Sequence, residues 1–328
     1  MAFRPSPAVL PALRKDPDDP RFLELFTDHE EAAHVLVAGV PFDASVLGRK
    51  GARHGPQAIR EAMRFLASHD PSTGTDLAGL RLHDLGDVAG LRDDVLAAHA
   101  TVRAALAPVF RKGKPVVLLG GDHGLTFPHV QALADHVRGR IGIVVVDAHY
   151  DLRAYHGQPT SGTPFRRILT ELEGTPVRGA NIAEVGIRPY ANTAALAAYA
   201  AEQGVRVFPM SEVRAKGAAE VAEEALSAAG DGVDHLWLSI DIDGLDQSIA
   251  SGCSAPGAGG LLWDEAARIV QTVAEDSRVR GMDLLEVAPE LDPTGNTART
   301  AAQLVAAFVG AAWKRSHRSV ADAPMRGV

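Results

Sequence analysis

Eight short runs of branched aliphatic residues alternate with longer, alanine-rich amphipathic runs along most of this chain, and that alternation constrains the fold more than any other feature. The short branched runs predict strands over 35–41, 81–86, 115–119, 141–146, 182–187, 205–209, 235–241 and 280–287. Between them the spacing predicts helices near 56–68, 91–111, 125–137, 161–173, 192–203, 211–229, 263–275 and 297–313. Regular β–α alternation implies parallel strands with helices on both faces, since a parallel pair needs a crossover long enough to hold a helix. Spacing alone leaves two closures open, a barrel and a doubly wound sheet. No long linker divides the 328 residues, so 31–328 is expected to form a single domain. Residues 1–30, rich in Pro and Asp, read as a partly ordered N-terminal arm.

Three of the strand candidates empty into metal-binding residue types. The run Ile141–Val146 is followed by Asp147, His149 and Asp151, which share one side of an extended chain. Val116–Leu119 leads into Gly120, Gly121, Asp122 and His123, and Leu236–Ile240 leads into Asp241 and Asp243. Adjacent polar groups at a strand end need partners, and a cation supplies one. Carboxyl ends of parallel strands are also where such sheets bind ligands. Two imidazoles and four carboxylates suit two divalent cations, Mn²⁺ ahead of Zn²⁺ because oxygen donors dominate. Asp122 and Asp246 stand one step out and read as residues that orient a histidine or cap a turn.

A net charge of −8 with scattered basic residues gives no nucleic-acid footprint. No apolar stretch is long enough for a membrane span and no signal-peptide pattern is present. A single cysteine, Cys253, rules out an intrachain disulfide and fits the cytoplasm; beside Ser254 it reads as a packed small residue.

GGDH at 120–123, DAHYD at 147–151 and SIDID at 239–243 resemble the three signature motifs of the ureohydrolase family, which includes arginase, agmatinase and formiminoglutamase. The segments at 41–60 and 284–292 are similar to that family's N-terminal stretch and last strand. The resemblance implies an open three-layer α/β/α fold with an eight-stranded, mostly parallel doubly wound sheet. It also implies two Mn²⁺ ions per subunit, with Asp147 and Asp241 bridging them, His123 and Asp151 completing one site, and His149 and Asp243 the other. Asp151 would further orient the attacking water and relay its proton. The family's strand order would put Glu286 at the centre, where a carboxylate ending an apolar strand suits the planar cation of an amidine. Trimers or pairs of trimers are implied by the same analogy.

The loop after the second motif narrows the branch. Arginase- and agmatinase-like sequences carry a histidine before Gly-Thr-Pro-Phe, where this chain has Ser161. Asp151-Leu152-Arg153, Ser161–Phe165 and Gly252–Pro256 resemble the formiminoglutamase branch, whereas the segment at 41–56 looks more agmatinase-like. The resemblance thus points to hydrolysis of N-formimino-L-glutamate to L-glutamate and formamide, with a guanidino compound that releases urea as the alternative. Chemistry leans the same way: Arg153, two residues from a metal-ligand candidate, would repel cationic agmatine and pair with a substrate carboxylate. Arg166 and Arg188 are further candidates, although surface or strand-end charge is their plainer reading. His156, five residues beyond DAHYD in a loop, could act as proton shuttle in place of the missing histidine, or stand in solvent. Two other classes are a catalytically silent metal-binding member and a one-metal deacylase on a related architecture. The six filled positions argue against both.

Overall fold

The computed structural model describes residues 1–7, 16, 18–174 and 176–321, the last five by backbone alone. Part of the expected N-terminal arm, 8–15 and 17, therefore lies outside the described residues. In chain order the strands are β1 (Phe3–Arg4), β2 (Val35–Gly39), β3 (His69–Asp70), β4 (Thr75–Asp76), β5 (Leu82–Val88), β6 (Val116–Leu119), β7 (Ile141–Val146), β8 (Ile182–Ile187), β9 (Arg206–Pro209), β10 (His235–Asp241) and β11 (Val279–Leu285). The sheet is open, in the order β1-β5-β2-β6-β11-β10-β7-β8-β9, while β3 and β4 form a separate hairpin. All eight expected strands are there. The ninth, β1, pairs antiparallel with β5 through Phe3 opposite Val88. Two residues carry no readable alternation, which is why the sequence did not announce it.

The helices are α1 (Gly55–Met63), α2 (Val95–Phe110), α3 (Thr126–Ala134), α4 (Pro164–Glu171), α5 (Ala194–Gln203), α6 (Met210–Lys216), α7 (Ala218–Gly230), α8 (Trp263–Ala274) and α9 (Asn296–Ala321). The helix expected over 211–229 is two helices, because Gly217 adopts φ 89°, which a continuous helix cannot contain. Pro164 starts α4 three residues later than expected, at the first-turn position where its missing N–H costs nothing.

Successive residues of the central strands feed two cores. Val37, Val117, Val144, Leu238 and Leu284 pack with α1, α7, α8 and α9, while Leu36, Val116, Val145 and Trp237 pack with α2, α3 and α4. Burial on both faces explains why these strands are continuously apolar. Among the described residues no helix is long and apolar enough to cross a membrane.

Register decides the rest. Ile240 pairs with Val146, Asp241 with Leu285, and Leu284 with Leu119. Four adjacent strands therefore end level, and the residues that follow them meet along one edge.

Candidate metal centre

At that edge the polypeptide is unusually close to itself. A Cβ on Gly121 would lie 1.5 Å from the Phe42 carbonyl oxygen, and one on Gly120 1.7 Å from Leu285 Cδ2. Only glycine lets the β6 loop pass and turn His123 inward. Asp122 anchors the turn by accepting the backbone N–H groups of Ser45 at 3.0 Å and Gly124 at 3.1 Å. Asp246 similarly accepts from the backbone of Ser248, Gly259 and Gly260.

His123, Asp147, Asp151 and Asp241 converge as one group, and Asp147, His149 and Asp243 as a second that shares Asp147; within each, one ligand atom per residue lies within 4.8 Å of the others. His123 Nδ1 stands 2.9 Å from Asp151 Oδ2, 3.0 Å from Asp147 Oδ2 and 3.4 Å from Asp241 Oδ2. His149 Nδ1 stands 3.2 Å from Asp243 Oδ2 and 3.4 Å from Asp147 Oδ1. The convergence does not come from a continued strand. β7 ends at Val146, and Asp151 is folded back by a left-handed backbone, φ 48°. Glu286 adopts φ 65° in the same way at the end of β11. Such conformations cost about 1–3 kcal/mol for a residue with a Cβ and persist where the surroundings over-determine them.

Electrostatics show the strain of leaving these groups to one another. Burial, then the charges of Asp243 and Asp147, holds the Asp241 carboxyl well above the usual range. Burial and Asp147 push Asp151 up to about 6. Asp147 moves the other way, because hydrogen bonds to His123 and His149 outweigh its burial. His149 is raised to about 12, its carboxylate partners overcoming burial. Carboxylates forced to share protons with imidazoles in a dry cluster are groups whose natural counter-charge is a cation.

Glu286 is 2% exposed; its Oε1 accepts the His123 backbone N–H at 2.9 Å, and its Oε2 has no hydrogen-bond partner among the described residues. Behind the cluster, His123 Nε2 lies 3.1 Å from Ser239 Oγ, which bonds Thr126, which in turn bonds Asp283. Asp283 Oδ2 also accepts from Trp237 Nε1 at 3.1 Å and holds His129 Nδ1 at 2.9 Å. This chain fixes the ring of His123 so that Nδ1 faces the carboxylates.

The loop residues are less gathered. Ser161 is buried, its Oγ accepting the Leu47 N–H at 3.2 Å. Arg153 is exposed and lies along Gly162; His156 is exposed in the bend beyond it. Arg166 stacks on Tyr199 at 3.3 Å. Cys253 is buried, and burial followed by the nearby carboxylates raises its thiol, as suits a packing residue. Sequence reasoning missed Glu184, fully buried on β8 with neither carboxylate oxygen hydrogen-bonded among the described residues, and held well above the usual range by burial and by Asp147. Its signal was available as an acid in the apolar run Ile182–Ile187.

An open α/β sheet with two imidazoles and four carboxylates converging at its carboxyl edge defines a protein suited to hold divalent cations: the donors are oxygen-rich and buried carboxylates crowd together there with no cation but the imidazoles. The chain belongs to the arginase family, whose sequence model matches residues 33–310. The formimidoylglutamase of Halobacterium salinarum is 39% identical over 290 residues, covering 87% of this chain and 90% of its own. The crystal structure of formimidoylglutamase from Bacillus subtilis matches with TM-score 0.84 at 32% identity, covering 90% of this chain and 93% of that one. Trypanosoma cruzi formiminoglutamase, solved with Mn²⁺, matches with TM-score 0.83 at 30% identity over 90% and 98% of the two chains. The expected strand order also holds, with β11 between β6 and β10.

Proposed function

We propose that this chain is a two-manganese hydrolase that cleaves N-formimino-L-glutamate to L-glutamate and formamide. The observation that carries the reading is Glu286 Oε2, a buried carboxylate oxygen without a partner beside the two-part cluster. His123, Asp147, Asp151 and Asp241 would hold one ion, and Asp147, His149 and Asp243 the other, with Asp241 reaching both. Bound there, such a pair lowers the pKa of a shared water and supplies Lewis acidity.

The chain's own residues do the remainder. Glu286 Oε2 accepts a hydrogen bond from the substrate amidinium and holds its central carbon in place. Asp151 Oδ2 takes the proton of the attacking water, which adds to that carbon. Collapse forms the formamide carbonyl and breaks the bond to the glutamate nitrogen; the proton held by Asp151 passes through His156 to the departing amine, and the hydroxyl proton released on collapse goes to solvent. Ser161, whose oxygen already accepts from Leu47, keeps its own proton for a substrate acceptor. Arg153 pairs with a substrate carboxylate. The relatives named above support the substrate, as does the serine where cation-hydrolysing relatives carry histidine. We place the reaction in one domain from residue 31 onward, in the cytoplasm, in a homo-oligomer.

The test is product identification with manganese-loaded protein. Formamide and glutamate from formiminoglutamate are expected. Urea from agmatine or a guanidino acid, with no turnover of formiminoglutamate, would reassign the substrate.

A further inference from the structure

Three arginines are buried among the described residues, and one differs from the other two. Arg60 is 2% exposed and meets Asp84 and Asp87 at 2.8 and 2.7 Å. Arg167 is 4% exposed and meets Glu171 at 2.9 Å. Arg188 is 7% exposed, yet among the described residues no carboxylate pairs with it. Its Nη2 donates to the Ala255 carbonyl at 2.9 Å, and its Nη1 is buried with no hydrogen-bond partner among the described residues. A permanent cation left half-satisfied in a dry place is costly unless an anion completes it.

The position says where that anion would come from. Arg188 follows the carboxyl end of β8, and its backbone N–H donates to Ala148, inside the DAHYD loop. Ala255 belongs to the loop whose Cys253 feels the charges of Asp243, Asp241 and Glu286. Arg188 is one of the charges acting on Asp243. Gly257 keeps the space clear: a Cβ there would lie 2.6 Å from Nη1.

We propose that Arg188 binds one carboxylate of a dicarboxylate substrate through its free Nη1 edge, as a specificity determinant separate from Arg153. The inference rests on the substrate reading above, since formiminoglutamate carries two carboxylates and that reading gives Arg153 only one of them. The competing role is a fixed counter-charge for the surplus acids, which would act on metal affinity and be blind to the substrate's distal half.

The experiment compares wild type, Arg188→Gln and Arg188→Lys, all with metal content measured, on formimino derivatives of glutamate, glutamine and isoglutamine. The two amides neutralise one carboxylate each. Wild type should lose roughly 10- to 100-fold in kcat/KM on one amide. Arg188→Gln should lose a similar factor on the diacid, through KM, and no longer distinguish that amide. Arg188→Lys should recover part. Retained discrimination in Arg188→Gln overturns the proposal, as does a wild type that treats all three substrates alike, which needs no variant to fold. Calorimetry of L-glutamate with manganese-loaded protein separates the two readings. If wild type fails to turn over formiminoglutamate but binds glutamate at least tenfold more tightly than Arg188→Gln, the substrate reading falls and this inference stands. Glutamate binding indifferent to Arg188 overturns it.

Discussion

The Oε1 atom of Glu286 accepts the backbone N–H of His123 at 2.9 Å, joining the end of β11 to the loop that follows β6. One carboxylate thereby holds the imidazole loop with one oxygen and leaves the other free at the cluster. Its left-handed backbone keeps it there.

Glu286→Gln preserves shape and removes charge. Turnover should fall by about 1.5–3 kcal/mol of lost charge-assisted pairing, roughly 10- to 100-fold, with metal content unchanged. Steady-state kinetics beside elemental analysis decide it; wild-type kinetics would make Glu286 a purely structural tie.

Asp147 belongs to both ligand groups, whereas Asp243 belongs to one. Asp147→Ala is therefore expected to lose activity and more metal than Asp243→Ala, which should empty one site. Asp241→Ala should behave as Asp147→Ala if it reaches both ions. Two full equivalents of metal in the Asp147 or Asp241 variant would sink the assignment of that residue as a bridge.

The metal-free protein should grow less stable as pH rises. Asp151 is raised to about 6, and Asp241, Asp243 and Glu286 are raised as well. Acids raised in the folded state contribute stability fully below their unfolded pKa, and lose it as pH climbs through the folded one. His149, raised to about 12, loses its contribution over a higher range with the same sign. Asp147, lowered, matters only toward acid pH. Chelator-treated protein should thus lose about 1–3 kcal/mol between roughly pH 4 and 7, and metal should reverse the trend because its ligands bind deprotonated. A melting temperature that is flat or rising over that interval without metal contradicts the cluster's electrostatics.

Two Gly→Ala substitutions should have opposite signs. At Gly121 the new methyl meets the Phe42 carbonyl, backbone that cannot rotate away, so Gly121→Ala should cost at least ~1–3 kcal/mol. At Gly310, inside α9, the nearest atom is Leu77 Cδ2 at 3.6 Å, and Gly310→Ala should add about 0.5–1 kcal/mol. Denaturant titrations of both variants measure the pair together.

Arg153→Ala should raise the KM for formiminoglutamate with little change in kcat and no loss of metal. Arg153→Lys should restore only part, lacking the planar fork. If agmatine is the true substrate, loss of Arg153 should leave its hydrolysis unharmed or improved.

Much of this was legible beforehand because it is local. Short continuous apolar runs marked all eight long strands, and the polar residues beyond three of them marked the cluster, since strand ends are where such groups can escape burial. Motif resemblance supplied the open closure and the central place of β11. The alternation argument for 147, 149 and 151 named residues that the structure does gather, but by an incomplete route, because the chain turns left-handed at Asp151 instead of staying extended.

What the sequence determined by itself is which segments are strands and which side chains they deliver. Only the tertiary structure decided that Leu284 lies beside Leu119, and Asp241 beside Leu285, so that Glu286 meets His123. It likewise decided that Arg60 and Arg167 find carboxylates while, among the described residues, Arg188 pairs with none and both Glu184 oxygens lack a hydrogen-bond partner. The reason is physical: periodicity is a property of neighbouring residues, whereas partnership and desolvation depend on groups far apart in sequence that long-range packing alone brings together.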